Sequence, residues 1–154
     1  MRCLIAAAAV GVSLALGACG GNSHAGAAGN RVGAQGGTTG LLGARATVDA
    51  NLIEYRIGLS SVRVPAGKVT LVAANLGRDT HELVVIRTDK PAAVLRTTDH
   101  STRASESGKV AEIDDTRPGA AKDLTLTLRP GHYALICNLP KHYHRGMHID
   151  LTVT

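Results

Sequence analysis

The clearest structural signal in this chain runs from Asp123 to Cys137 and reads DLTLTLRPGHYALIC. Its first half alternates polar residues with three leucines, which is the period of a strand with one buried face. Arg129-Pro130-Gly131 then supplies a turn, and Tyr133 to Cys137 is an apolar run of strand length. The stretch predicts two consecutive strands joined by a tight turn.

Similar short strands are predicted on either side of this stretch. A short helix near Pro91 to Leu95 and a short strand near Val110 to Ile113 are expected in the more polar middle segment. Gly and Pro turns separate the strands, and no amphipathic helix is evident. The pattern predicts an all-β, Greek-key sandwich or barrel of about seven to eight strands. The other predicted strands are Ile53 to Leu59, Val62 to Val64, Val69 to Ala73, His81 to Arg87 and Ile149 to Val153.

Composition divides the chain into two parts. Nine of the 18 glycines fall within residues 20–43, whereas all five prolines follow Val64. The 154 residues include no Phe or Trp and only three Tyr, so the core is expected to be mainly aliphatic. From Ala44 onward, 15 Lys and Arg stand against 12 Asp and Glu, interspersed and almost without aromatic residues. This pattern argues against a nucleic-acid-binding protein.

The amino terminus has the features of an export signal. A basic start at Arg2 precedes the apolar run Leu4 to Leu16, whose 13 residues suit a secretory signal better than a membrane span. The run ends in Leu16-Gly17-Ala18-Cys19, which resembles a bacterial lipobox. In a lipobox the cysteine is lipidated, for example with palmitate, and becomes the first residue after cleavage. An ordinary signal peptide cut near Ala18 is the alternative.

Three segments are predicted on this basis. Residues 1–18 are expected to be a lipoprotein signal peptide, and residues 19–43 a lipidated Cys19 followed by a Gly-rich tether. The tether lacks apolar periodicity and would reach about 25–30 Å as a flexible chain. Residues 44–154 form the predicted domain. The protein is therefore expected to be lipid-anchored on the extracytoplasmic face of the cell membrane, and to be a monomer.

Cys137 is the single thiol of the predicted domain and sits among metal-binding residues. It is followed by His142 five residues later and Met147 five residues after that, and His81 begins an earlier strand. A thiolate, two imidazoles and a thioether are the donors of a mononuclear copper centre with a His₂Cys plane and an axial Met. An inert buried cysteine is the plainer alternative.

These residues resemble those of the blue copper proteins, or cupredoxins, most closely sulfocyanin-like and plastocyanin-like members with the spacing C-x4-H-x4-M. The similarity covers PAGKVTLVAANLG, HELVV and PGHYALICNLPKHYHRGMHIDLTV. It implies a cupredoxin-like fold, one type 1 copper ion, and the ligands His81, Cys137, His142 and Met147. One departure is Glu82, because the family often has a small polar residue after the first histidine, and this puts the tuning of the potential in doubt.

The remaining histidines are less suited to be ligands. His144 would leave only two residues before Met147, and His148 should point to the opposite side of its strand from the site. His100 and His132 are expected at the surface. Together, His142, His144 and His148 would offer an additional exposed copper-binding patch.

Two functions fit this ligand set. A saturated His₂Cys(Met) site has no open position for a substrate, which favours single-electron transfer to redox partner proteins over enzymatic chemistry. Ile136 and Asn138 flank Cys137 where multicopper oxidases carry histidines, and Lys141 stands where a binuclear centre needs a second cysteine. The first function is therefore a membrane-tethered electron carrier with His142 as the electron port. The second is a lipoprotein that buffers, delivers or senses copper without electron transfer.

Overall fold

The computed structural model describes residues 44–97 and 102–154. The predicted signal peptide, the tether with Cys19, and His100 lie outside the described residues, so these predictions stay as they are. Within the described ranges the chain forms nine strands in two sheets and two three-residue 3-10 helices. The prediction of an all-β fold is confirmed. None of the helices in these ranges is long and apolar enough to cross a membrane.

The first sheet has four strands in the order β2-β1-β4-β7. They are β1 (Arg45–Ile53), β2 (Arg56–Leu59), β4 (Gly67–Asn75) and β7 (Ala121–Leu128). Strands β1 and β4 run parallel, with Arg45 opposite Lys68, and the other pairs are antiparallel. The parallel β1·β4 pair requires a crossover between its strands, here through β2 and β3 (Arg63–Val64).

The second sheet has five strands in the order β3-β9-β8-β5-β6. Its longer members are β5 (His81–Arg87), β6 (Lys109–Thr116), β8 (Gly131–Ile136) and β9 (His148–Val153). Strand β8 lies between β5 and β9 and is antiparallel to both. The first 3-10 helix (Ala92–Val94) follows β5, and the second (Tyr143–Arg145) lies between β8 and β9.

Burial explains why some strands alternate in sequence and others do not. In β4, Val69, Leu71 and Ala73 are fully buried between the sheets and their neighbours are partly exposed. In β5 both faces are covered, because Leu83 and Val85 belong to the core between the sheets while Val84 and Ile86 belong to a second cluster. An unbroken apolar run is the expected sequence of such a strand.

Four features of the core and of the short elements depart from the sequence-based expectation. The alternation from Ile53 to Leu59 predicted one strand, but the chain turns between β1 and β2 at Tyr55, which has a positive φ of 63°. The core is mainly aliphatic as expected, yet Tyr133 and Tyr143 are also buried, at 2% and 5% exposure. The strand expected at Val110 to Ile113 is present but longer, and the helix expected near Pro91 is a single 3-10 turn.

Candidate metal centre

The strand ends bring the predicted ligands to one end of the sandwich. Cys137 directly follows β8, Met147 directly precedes β9, and Ile136 pairs with His148, so the two loop ends are adjacent. His81 is the first residue of β5, which runs antiparallel to β8 on its other side. This end of the domain, with His81, Cys137 and His142, is called the upper pole below.

Three donor atoms face one another at the upper pole. The Nδ1 atoms of His81 and His142 are 3.3 Å apart, and Cys137 Sγ lies 3.3 Å from His142 Nδ1 and 4.0 Å from His81 Nδ1. A point equidistant from three atoms so spaced is about 2.1 Å from each, within the range of roughly 2.0–2.3 Å for bonds from nitrogen and thiolate to a metal such as zinc. The three atoms therefore fit around one metal ion.

No second group of this kind is found among the described residues, where His81, Cys137 and His142 form the one cluster of three or more His, Cys, Asp or Glu side chains close enough to hold a metal. The additional copper-binding patch of His142, His144 and His148 is therefore not formed. His144 is exposed and lies outside the cluster, while His148 packs with its ring centroid 5.4 Å from that of Tyr143.

Cys137 is enclosed by protein. It is fully buried, and burial raises the pKa of its thiol to about 11. The backbone N–H of Glu82 donates to its Sγ at 3.5 Å, the sulfur-directed hydrogen bond of a thiolate ligand. Because the free thiol is protonated at neutral pH, binding of a metal to the thiolate releases a proton.

Met147 lies beside the three-donor cluster. Its side chain is fully buried in the same core as Cys137. Its backbone N–H donates to His142 O at 3.1 Å, and its carbonyl accepts from Cys137 N at 3.0 Å. Gly146, which precedes it, has a φ of 101°, a left-handed conformation that glycine adopts without strain. The turn thus brings the chain back to the site before β9 begins.

A carboxylate and two backbone groups hold the segment that leads into His81. Glu54 Oε1 accepts hydrogen bonds from the backbone N–H groups of Arg78 and Asp79, and these bonds lower the pKa of Glu54 to about 2. The same oxygen is 3.8 Å from His81 Nε2, a buried nitrogen with no hydrogen-bond partner among the described residues. Burial lowers the pKa of His81, so the ring is neutral and available as a ligand at Nδ1.

Asn75 also shapes the approach to His81. This buried side chain accepts from Gly77 N at 2.9 Å and donates to the carbonyls of Asp79 and Thr116, at 2.8 and 2.7 Å. Because all of its polar atoms are paired inside the protein, the side chain ties the loop to the end of β6.

Asn138 connects the residue after Cys137 to a third loop. Its side chain forms a pair of hydrogen bonds with the backbone of Ala104, at 2.7 and 3.0 Å, and donates to Glu106 Oε1 at 2.8 Å. Its backbone N–H donates to Glu82 Oε1 at 2.9 Å. Glu82, which differs from the small polar residue that cupredoxins often have at this position, therefore has a structural role. Its carboxylate links the His81 strand to the Cys137 loop. Burial raises the pKa of this carboxyl group.

His142 is half-buried and contacts Tyr55, which is itself bound by Arg145; the sequence did not single out either residue. The ring of Tyr55 meets that of His142 edge-on, with centroids 5.5 Å apart. Arg145 lies over the Tyr55 ring at 4.6 Å and its Nη1 donates to the Tyr55 hydroxyl at 2.6 Å. Burial lowers the pKa of His142. The contact with Tyr55, which Arg145 holds in turn, restricts the orientation of the imidazole ring.

His132, expected at the surface, is instead half-buried. Its Nδ1 is 2.8 Å from Thr88 O and its Nε2 is 2.9 Å from Asp150 Oδ1. Both ring nitrogens are thereby engaged away from the upper pole, so His132 has a structural role.

The types of donor atom at the site indicate which metal ion it suits. Two neutral imidazoles, one thiolate and an adjacent thioether are the donor set of type 1 copper, whereas carboxylate and carbonyl oxygens would favour magnesium or calcium. Glu54 is 3.8 Å from His81 Nε2 and is not part of the three-donor cluster. The cofactor that fits this site is one type 1 copper ion.

Comparison with known proteins identifies the fold. No protein-family model and no curated protein matches the sequence. Among solved structures, auracyanin from the photosynthetic bacterium Roseiflexus castenholzii is 22% identical over 71% of this chain and 96% of its own, with a TM-score of 0.54. Rusticyanin from Thiobacillus ferrooxidans is 15% identical over 73% of this chain and 79% of its own, with a TM-score of 0.58. Auracyanins and rusticyanin are blue copper cupredoxins. With its two sheets and its His-Cys-His cluster between strand ends, the chain has the cupredoxin fold.

Proposed function

We propose that this protein is a type 1 copper electron carrier, with His81, Cys137 and His142 as equatorial ligands and Met147 as the axial ligand. The observation that carries the proposal is the triangle of His81 Nδ1, His142 Nδ1 and Cys137 Sγ, with sides of 3.3 to 4.0 Å. When bound in such a site, copper alternates between Cu(I) and Cu(II) and so carries one electron.

The protein itself restricts the movement of the three donor atoms. Hydrogen bonds fix the backbone around all three donors. Glu54 and Asn75 do so for His81, the Glu82 carboxylate does so for the loop after Cys137, and Met147 does so for His142. A rigid set of ligands that suits both Cu(I) and Cu(II) lowers the free energy needed to reorganise the site when the copper gains or loses an electron. With four protein ligands the site leaves no position for a substrate, so enzymatic activity is not proposed.

Electrons are proposed to pass to redox partner proteins through His142, which is the half-buried member of the ligand set. His81, Cys137 and Met147 are each fully buried. The loop between Cys137 and Met147 is thus the shortest route from the site to a docked partner.

The test is copper reconstitution with matched variants. The protein loaded with Cu(II) should show intense visible absorption from the thiolate, lost on mild reduction and restored on oxidation. Cys137→Ser and His142→Ala should abolish the band, whereas His144→Ala, two residues away and exposed, should leave it unchanged. Colourless Cu(I) binding with ready transfer to a chelator would instead favour copper buffering or delivery. Unchanged absorption and copper content in Cys137→Ser would refute a metal role.

The proposed location is the extracytoplasmic face of the cell membrane, with a lipid anchor on Cys19. Support comes from the apolar run Leu4 to Leu16 and the lipobox-like Leu16-Gly17-Ala18-Cys19. Mass spectrometry of the protein from a bacterial host should find an acylated amino-terminal Cys19. The parent is expected to be membrane-bound and the Cys19→Ser variant to lack the acyl group; an unmodified Cys19 in a processed chain would contradict the anchor.

A further inference from the structure

The end of the domain opposite the ligands is strongly basic. This lower pole is formed where β1 and β4 begin, where β7 ends and where β8 begins. Arg45 pairs with Lys68, and Gly67 beside it pairs with Leu128, which immediately precedes Arg129. On the second sheet, Gly131 pairs with Val153 and Ile86 with Lys109. Six exposed basic residues therefore share this pole, namely Arg45, Arg63, Lys68, Arg87, Lys109 and Arg129.

The positive charge of the domain is concentrated there. Within the described ranges the domain has 15 Lys and Arg against 11 Asp and Glu. Adding Lys90 and Arg96, which line a cavity beside Thr88 at this pole, gives eight basic residues against Asp89 and Asp150. Glu106, which accepts from Asn138, and Glu112, in register with Val84 and Ile136, lie toward the upper pole. The other described residues include seven basic and nine acidic ones, so the positive excess lies at the lower pole.

Most of these cations are not neutralised by neighbours. Lys109 is held by Glu106 at 2.6 Å and Glu112 at 2.9 Å, so it adds little to the outward field. Arg45, Arg63, Lys68 and Arg129, by contrast, form no ion pair with any carboxylate of the described residues. These four cations lie at or next to the strand ends that form the lower pole.

The chain also enters the domain at this pole. The carbonyl of Ala44 accepts from Lys68 N at 3.0 Å, and β1 begins at Arg45. The 43 preceding residues include Cys19, so the lower pole is the part of the domain joined to the proposed anchor. The inference below rests on that proposed location.

We propose that the lower pole rests on anionic phospholipid headgroups and that the upper pole consequently points into the aqueous space. A basic residue within a Debye length of an anionic membrane strengthens binding by about 1 kcal/mol, or roughly fivefold. Orientation follows because the rest of the described domain, with seven basic and nine acidic residues, has no comparable attraction. The redox partner would then dock at His142 from the aqueous space and not from within the membrane.

The test uses residues 19–154, the chain without the predicted signal peptide, carrying Cys19→Ser, so that neither the apolar run Leu4 to Leu16 nor lipidation contributes to binding. Partition onto vesicles of phosphatidylcholine alone is compared with partition onto equimolar phosphatidylcholine and phosphatidylglycerol at low salt. Binding should be stronger on the anionic vesicles and should weaken as salt is added. The triple variant Arg45→Gln, Lys68→Gln, Arg129→Gln should lower the partition coefficient on anionic vesicles by roughly 100-fold.

A variant of equal charge change is the control. Arg56→Gln, Arg117→Gln, Lys122→Gln also removes three positive charges, but away from the lower pole, and should lower the partition coefficient by less than about threefold. Equal losses in both triple variants, or equal binding of the parent to neutral and anionic vesicles, would overturn the proposal. The visible absorption of the copper-loaded samples and the acylation of Cys19 are read separately, so failure of the electron-carrier or anchor proposals would be recognised independently.

Discussion

The carboxylate of Glu82 accepts a hydrogen bond of 2.9 Å from the backbone N–H of Asn138, while the backbone N–H of Glu82 lies 3.5 Å from Cys137 Sγ. Glu82 follows one candidate ligand and Asn138 follows another. The pair therefore fixes the distance between the His81 strand and the Cys137 loop through both main chain and side chain.

Replacing Glu82 with Ala should destabilise the protein by about 1–3 kcal/mol, because the buried N–H of Asn138 would lose its acceptor. Urea unfolding of the metal-free protein measures this loss. Glu82→Gln supplies a carbonyl oxygen at the same place and should restore most of the stability. The Gln variant should also raise the reduction potential, because removing a negative charge near the metal favours the reduced, less positive ion. A stable Ala variant with unchanged potential would show that the link is dispensable.

Arg145 should attract anionic redox reagents to His142 and repel cationic ones. Its guanidinium lies over Tyr55, which contacts the His142 ring, so a positive charge is fixed beside the proposed electron port. Arg145→Gln should lower the rate of oxidation by anionic ferricyanide by about two- to fivefold at low ionic strength, and raise the rate with a cationic cobalt complex. Stopped-flow kinetics measures both.

Arg87→Gln is the matched control, since it removes one positive charge at the lower pole. It should leave both rates nearly unchanged, because the charge is far from His142 compared with the Debye length. If the two variants behave alike, the port is not at His142.

Much of this fold was predictable from local pattern. The strand at His81 to Arg87 has the predicted bounds, and Cys137 and Met147 lie at the predicted strand ends. Local sequence determines these features. A β-branched run between turn residues forms a strand, and a turn that contains glycine reverses the chain; both effects act within a few residues. The prediction of a cupredoxin-like fold depended on the spacing of Cys137, His142 and Met147.

The contacts around the site were not predictable in the same way. Glu54 and Arg78 are 24 residues apart, and Tyr55 and Arg145 are 90 apart, so no local pattern links them. The turn at Tyr55 was missed because it breaks an apolar alternation at a residue other than Gly or Asn. Its positive φ is maintained by tertiary contacts, here those of Tyr55 with Arg145 and His142.

Acid should weaken the loop before His81 through Glu54. Hydrogen bonds from the Arg78 and Asp79 N–H groups lower its pKa from 4.5 to about 2. A depressed carboxyl pKa stabilises the fold above the unfolded-state value, and this stabilisation is lost as pH falls from 4.5 through about 2. Glu54→Gln should flatten the dependence of the unfolding free energy on pH in that window. Asp123→Asn, which removes a carboxylate at an exposed position of β7, is the charge-matched control.

The core between the sheets should respond strongly to cavities. Leu71 is fully buried on β4, and Leu71→Ala should lower the free energy of unfolding by about 2–5 kcal/mol. Leu126, on the neighbouring β7, is only partly buried, so Leu126→Ala should cost clearly less. Chemical denaturation of both metal-free variants gives the comparison. Equal losses would mean that the two sheets are not packed through Leu71.

Copper should stabilise the whole domain, because its proposed ligands join β5 to the loop between β8 and β9. Binding to the folded state alone at a thousandfold excess over the dissociation constant adds about 4 kcal/mol. In a domain of roughly 100 residues, each 1 kcal/mol raises Tm by about 4–8 °C. Calorimetry of the copper-loaded and metal-free parent should therefore show a rise of more than ten degrees. Cys137→Ser should show a much smaller rise, and a loaded parent that melts no higher than the metal-free protein would mean that copper does not join these strands.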